Sequence, residues 1–391
     1  MTDGVAALDA AWVDYVERIK VAGERITGPE YPDGPRLRAE GYRYVQRLAH
    51  LAYQIFVEFG DPAYPSLFRY GDDTTPFGAT NTDNNYYRTA LDPAGTYRIT
   101  GDVTGVKELL FSVQDGEFVF GKTDVLAEAA LDDLVIGPDG ELELFLGGPP
   151  RKENWLPLAQ EAEHMNVREF VGDWEHDALA TLHIERLDAV GPPPPLTPEA
   201  HAAALDQVAA WVEANVGLWK DFAAGLKSHV PVNALQAPLK PVGGAENMLH
   251  GAGQWDLGPD QVLLIEFEQP EVTYWSIQTY VLEWMVPLDF AHRVTSLNDG
   301  QLRQDDDGIF RIVLAHADPG VQNWLDTTEL PQGLFTYRYV RPTRAPAPTT
   351  VVLDAKDLFD RIPPGTPKVG PEERRDQIAA RTRGVTRRFR R

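Results

Sequence analysis

Residues Gly116 to Thr123, GEFVFGKT, fit the spacing G-x-x-x-x-G-K-[ST], in which glycine amides wrap the phosphates of a nucleotide and the lysine reaches its outer oxygens. A working loop of this kind needs a strand before it, a helix behind it, and small residues where the backbone curls around the anion. LLFSVQ and DVLAEAALDDL would serve as strand and helix in isolation. The loop interior, however, is Glu117, Phe118, Val119 and Phe120, which puts bulk and a carboxylate where an anion has to sit. No strand ends in an aspartate placed for magnesium, and no crossover helices separate the β-like runs. The stretch is expected to be a short strand, FVF, between two glycine turns.

Other chemistries leave fainter traces. Cysteine is absent, which removes thiol nucleophiles, disulfides and cysteine-bound metals. Ser66, Ser112, Ser228, Ser276 and Ser296 lie outside any G-x-S-x-G elbow. Nine histidines are present, with His164, His176 and His183 close in sequence and His316 two residues before Asp318. Their spacing matches no zinc or iron ligand set, so no metal and no cofactor is expected. Glu266 and Glu268 share a strand face and Asp305, Asp306 and Asp307 crowd a turn, patterns that mark a solvated face and a turn more often than an acid–base pair. His292 is left as the candidate general acid–base. Candidate ligand contacts are Asn84, Tyr86, Trp275, Gln278, Asn323 and Trp324, with Trp155, Trp174, Trp284 and Tyr87 as further aromatic walls. NTDNNYY, dense in amides and phenols, reads either as a binding loop or as a well-bonded connection. The Asn-Trp pairs are more simply turns, the amide bonding nearby backbone and the indole closing one end of a β-sandwich.

The chain as a whole narrows the partners. A net charge of −23 repels phosphate backbones, so nucleic acid is not an expected partner. The first twenty residues lack the basic and apolar regions of a signal peptide, and no apolar run reaches the roughly 20 residues that span a bilayer. A soluble, cytoplasmic protein with a small-molecule ligand and no membrane span is the expectation.

These residues must be positioned by a mixed set of elements. Leu8, Trp12, Tyr15, Val16 and Ile19, then Val45, Leu48, Ala52, Ile55, Phe56 and Phe59, recur at helical spacing on either side of the break GPEYPDGP. From Thr96 the period changes to short β-like runs: TYRIT, ELLFSVQ, ELELFL, MNVREFV and TLHIERL. GPPPP, from Gly191, is a stiff linker, and Thr197-Pro198 opens a helix carrying Leu205, Val208, Val212 and Trp219. VLLIEFE, VTYWSIQTY, IFRIVLA, LFTYRYV and TVVL then return to strand character.

The order implies a duplication. Ser112 and Gln114 match Ser276 and Gln278, Asp139-Gly140 matches Asp307-Gly308, Asn154-Trp155-Leu156 matches Asn323-Trp324-Leu325, and Arg168 matches Arg338, with offsets growing slowly from 164 to 170. The expected fold is mainly β with helical additions (α+β): two tandem β-sandwich or jelly-roll-like domains, each preceded by helices. Its parts are an N-terminal helical hairpin (1–60), a first β-domain (61–190), a proline linker and helix (191–230), a second β-domain (231–355) and a basic tail (356–391).

YWSIQ, VTSLND, DDGIFRIVLAHADPGVQNWLDT and GLFTYRYVRP, spread over Val262 to Pro342, resemble the bacterial family known only as domain of unknown function 1214. The resemblance implies β-sandwich domains and carries no activity. A crevice between the β-domains is the expected place for a small, partly apolar or hydroxylated ligand to be bound or modified. The alternative is a non-catalytic carbohydrate-binding or assembly module. The tail IAARTRGVTRRFRR carries six arginines and is expected to dock on the acidic body or on a second copy of the chain, forming a homo-oligomer, with an acidic partner or lipid surface as alternatives.

Overall fold

The computed structural model describes residues 2–29, 31, 33–240 and 247–389; Glu30 and Pro32 of the expected break and Arg390 and Arg391 of the tail lie outside them. Two compact units emerge, and they cut across the expected boundaries. The first comprises residues up to Pro76, Asn84–Val171 and Asp177–Lys220; the second comprises Phe77–Asp83, Gly172–His176 and the chain from Asp221.

Helices α1 (Thr2–Arg25) and α2 (Pro35–Tyr53) form the expected hairpin of the first unit. Its strands are β1 (Phe68–Tyr70), β2 (Asn84–Ala90), β3 (Thr96–Asp102), β4 (Glu108–Gln114), β5 (Val125–Ala130), β6 (Glu141–Gly147), β7 (Trp155–Leu156), β8 (His164–Phe170) and β9 (Thr181–Arg186). They make two sheets, β1-β2-β8-β4-β5 and β7-β6-β3-β9. Alternation decides what each face does. Leu109, Phe111 and Val113 of β4 and Met165 and Val167 of β8 point inward against Tyr97, Ile99, Leu142, Leu144 and Ile184 of the other sheet, all buried in one apolar core.

Helix α3 (Pro198–His229) is followed by β10 (Met248–Asp256), β11 (Gln261–Glu268), β12 (Tyr274–Val281), β13 (Val286–Pro287), β14 (Ser296–Asn298), β15 (Ile309–Ala315), β16 (Trp324–Asp326), β17 (Gln332–Val340) and β18 (Thr349–Asp354). A one-turn helix α4 (Leu358–Arg361) and a long helix α5 (Pro371–Phe389) close the chain. The second unit's sheets run β10-β17-β12-β13, with β14 also on β12, and β16-β15-β11-β18. Apart from β1, which has no counterpart beside β10, this strand order repeats that of the first unit, including a parallel pair at one edge, β6 with β7 and β15 with β16. Trp275 of β12 lies in this second core against Phe267 and Phe310, with ring centroids 5.3 and 5.0 Å away.

Three readings of the sequence are corrected. Of NTDNNYY, Asn81–Asp83 is a bonded connection, while Asn84–Tyr87 is not loop but the start of strand β2, paired along its length with β8. FVF is a single 3-10 turn rather than a strand, because Gly116 and Gly121, at φ 137° and 80°, close the chain on itself within five residues. Arg338 is not the counterpart of Arg168: it faces Ser276 across the sheet, whereas Asn166 faces Ser112.

The outward face of the first unit's larger sheet is polar yet covered. Glu117, from the glycine-flanked turn, pairs with Arg88 of β2 and accepts a bond from the Trp211 indole of α3 at 2.9 Å. The phosphate-loop look-alike thus spends its carboxylate inside its own unit. Beside it Gln114 Oε1 meets His164 Nε2 at 2.9 Å. Burial drives the His164 pKa well below its usual 6.5, and Arg88 and Arg168 add to the drop. In the second unit burial, helped by Arg338, takes His250 down to about 4.

Glu117→Ala should lower the unfolding free energy by about 3–5 kcal/mol, as expected when one partner of a largely buried pair is removed. Lys122→Ala should leave it unchanged, and neither ATP nor GTP should raise the melting temperature. The histidines predict a pH profile. An unfolded chain takes up protons near pH 6.5 that the folded imidazoles refuse, so stability should fall as pH drops below that value. For His250 the loss should level off near pH 4 after roughly 3.5 kcal/mol, at about 1.4 kcal/mol per pKa unit. Urea midpoints of His164→Gln and His250→Gln variants should show a flatter slope over this range.

Candidate functional site

The repeated Asn-Trp pairs prove to be the same device. Asn154 accepts from Val135 N at 2.8 Å, donates to Val135 O at 2.7 Å, and donates again to Glu143 O at 2.8 Å. Asn323 accepts from Arg303 N at 2.9 Å and donates to Arg303 O at 2.6 Å and Arg311 O at 3.0 Å. In each case one side-chain amide grips both polar groups of a distant peptide. The adjoining indoles bond alike, Trp155 to Gly147 O at 2.9 Å and Trp324 to Ala315 O at 3.2 Å.

Gln278 is fully buried and fully bonded. Its Oε1 accepts from Thr82 N at 3.1 Å and from the Tyr280 hydroxyl at 2.8 Å, while Nε2 donates to Asn81 Oδ1 and to Ser276 Oγ. Asn84 and Tyr86 lie buried on β2 in the first unit, and Trp275 is core. His292 is on the surface, bonded only to Asp289 three residues earlier, with its side chain 55% exposed. The sequence-derived candidates are divided between the two units. Gln278, Asn323, Trp324, Trp275 and His292 share the second unit; Asn84 and Tyr86 belong to the first.

What the second unit does hold is a half-open cavity of about 400 Å³. Trp174, carried on the Gly172–His176 excursion, forms one wall with Gly172, Asp173 and Glu175. Val294 and Leu297 supply an apolar side, and the turn after β14 brings Gly300, Gln301 and Arg303. Gln322, just before the Asn323 clamp, and Gln377, Ala380 and Arg381 of α5 complete the lining.

Trp174 is fixed from both ends. Its Nε1 donates to Asp83 Oδ1 at 2.7 Å, an oxygen that also accepts from Asn298 Nδ2 at 2.9 Å, and the Tyr274 hydroxyl donates to Asp83 Oδ2 at 2.6 Å. Burial, and then the Asp83 charge, raise the Tyr274 phenol well above its usual value, so it stays a donor. The guanidinium groups of Arg381 and Arg388 lie over the indole, 4.6 and 5.0 Å from its centroid. Arg381 is buried and bonds only oxygens of Phe290 and Ser296. Burial lowers its pKa to about 10, which leaves it charged at neutral pH. Through these residues the basic tail docks inside its own unit, helped by Arg374 on Asp318 at 2.9 Å and Arg383 on Glu175 at 2.5 Å.

Of the two lining carboxylates, Asp173 experiences burial that would raise its pKa. Its bonds to the His176 imidazole and to nearby amides outweigh this, and the group stays below its usual value. Among the described residues no group of three or more His, Asp or Glu side chains is placed to hold a metal, and no helix is long and apolar enough to cross a membrane.

A family model described as a protein of unknown function (DUF1214) matches residues 251–344, close to the stretch that carries the sequence resemblance. The chain belongs to the DUF1214 family. The match takes in Val294 to Gln322 of the cavity but neither the Trp174 excursion nor α5. A crystal structure of an uncharacterised protein from Burkholderia cenocepacia resembles this DUF1214 chain with a TM-score of 0.86 and 33% identity, covering 91% of this chain and 100% of that one. The VPA0106 protein from Vibrio parahaemolyticus gives a TM-score of 0.47 at 13% identity, over 80% of this chain and 98% of that one. No curated protein matches the chain.

Sequence inspection named Trp174 among the aromatic walls but missed Arg303 and Arg381. A signal for Arg303 existed: it stands 168 residues after Val135, the offset that also relates Asp139 to Asp307.

Asn154→Ala and Asn323→Ala should each cost about 1–3 kcal/mol by leaving an amide and two carbonyls without their partner. Chemical denaturation of the two single variants would check it. A loss under 0.5 kcal/mol would contradict the clamp, being the range of ordinary surface changes (about ±0.5 kcal/mol).

Proposed function

We propose that this DUF1214 protein binds a small, partly apolar and hydroxylated molecule in the cavity of its second unit. The observation that carries the reading is the lining itself: Trp174, Val294, Leu297 and Ala380 are its apolar members, while Gln301, Gln322, Gln377 and Arg303 are polar residues around the same space. Its volume of about 400 Å³ falls at the small end of ligand sites, which run from about 300 to 1,000 Å³. A small molecule is favoured over a sugar chain because the Trp174 ring already carries Arg381 and Arg388 and serves as a fixed wall rather than an open stacking platform. The cysteine-free, acidic composition supports a cytoplasmic setting.

Ligand-observed NMR against a library of small hydroxylated aromatic and aliphatic compounds is the direct test. Binders should be recovered, and Ala380→Trp, which fills the cavity from a half-buried helix position, should abolish their signals while the variant still unfolds cooperatively. Binders that persist in Ala380→Trp would place the site elsewhere.

A further inference from the structure

The duplication offers an internal control for what is special about the cavity. The same asparagine clamp grips Val135 in the first unit and Arg303 in the second. Val135 is an exposed aliphatic side chain, whereas Arg303 lines the cavity. The scaffold is shared and the side chain it presents is not.

Arg303 is also unusual in its partners. Its Nη1 donates to Gly300 O and Leu302 O, both at 2.9 Å, which fixes the guanidinium without neutralising it. No carboxylate pairs with it among the described residues, in a chain with 59 acidic and 36 basic side chains. Of the cavity's own acids, Glu175 is paired with Arg383, and Asp173 bonds the His176 imidazole at 2.9 Å. Arg381, the other lining cation, hydrogen-bonds the oxygens of Phe290 and Ser296 and also feels the charges of Asp83 and Asp289. Arg303 is therefore the lining cation whose charge no carboxylate contact offsets among the described residues. The acidic body does not reverse this, since charges beyond a Debye length of about 8 Å are screened at physiological salt.

Resting on the cavity reading above, we propose that the ligand is a small monocarboxylate, a hydroxy acid with an apolar body, and that Arg303 is the residue that selects its charge. A guanidinium matches a carboxylate with two parallel N–H···O bonds. The Gln301 side-chain nitrogen, which has no hydrogen-bond partner among the described residues, can donate to a hydroxyl. A single anchor at an exposed position suits one negative charge, and the nearby Asp173 and Glu175 disfavour a second. Asn323 is then a positioning residue, holding the Arg303 peptide rather than touching ligand.

The experiment compares 3-phenyllactate with its uncharged amide, 3-phenyllactamide, by NMR titration at about 0.15 M salt, near physiological ionic strength. The acid should bind roughly tenfold more tightly than the amide, the scale of one charge-assisted hydrogen bond. Arg303→Val, which installs the first unit's residue at an exposed site, should equalise the two; Arg303→Lys should keep part of the preference. Equal binding of acid and amide to the wild type, or a preference that survives Arg303→Val, overturns the selectivity. If both bind equally and Ala380→Trp abolishes both, the cavity reading stands and only the charge assignment falls. If neither binds at millimolar concentration, both fall.

Discussion

The buried carboxylate of Asp83 is the constraint on which the second unit depends. A charge taken out of water costs several kcal/mol unless its oxygens are bonded, and here Trp174, Asn298 and Tyr274 all donate to it. Satisfying one carboxylate therefore fixes an indole, a strand end and a phenol at once. Two excursions of chain, Phe77–Asp83 and Gly172–His176, become parts of one polar core. Arg338 donating to Ala79 O, Thr82 to Gln278 and Arg388 to Thr82 O extend the same network. The wall of the cavity is a by-product of that arrangement.

The Ser-x-Gln strand recurs for a related reason. In each unit the large sheet has one face in an apolar core and the other covered by polar chain, so both faces of β4 and β12 are buried. The outward positions must then be hydrogen-bonding groups that satisfy one another. Ser112 donates to Glu128, Gln114 accepts from His164, and Ser276 and Gln278 bond each other. The two units solve this with different cover, Glu117 and Trp211 in the first and the Asn81–Asp83 excursion in the second.

This explains which parts of the architecture were legible in the amino-acid order. ELELFL, TYRIT and IFRIVLA alternate because one side meets an apolar core, and they are strands as expected. NNYYRTA shows no such alternation, since its outward face is buried among polar groups, and it resembles a loop on composition alone. FVF has the apolar look of a strand, but Gly116 and Gly121 close it into one turn, and its partner Arg88, reached through Glu117, is distant in sequence. The cavity was illegible for the same reason: Trp174, Arg303 and Arg381 come from segments far apart in sequence. The two copies of the Asn-Trp pair were visible at once, but their meaning lay in the peptide each one grips.

That grip reads only main-chain atoms. An asparagine that bonds the N–H and C=O of a peptide is indifferent to the side chain between them, so valine in one copy and arginine in the other sit at no different cost to the backbone. The clamp is in effect a mounting socket, in which the fitting can be exchanged while the frame stays put. A fold carrying two such sockets can keep one plain and equip the other. Diversification within this architecture then needs only single-residue steps at the gripped position, without passing through a destabilised scaffold.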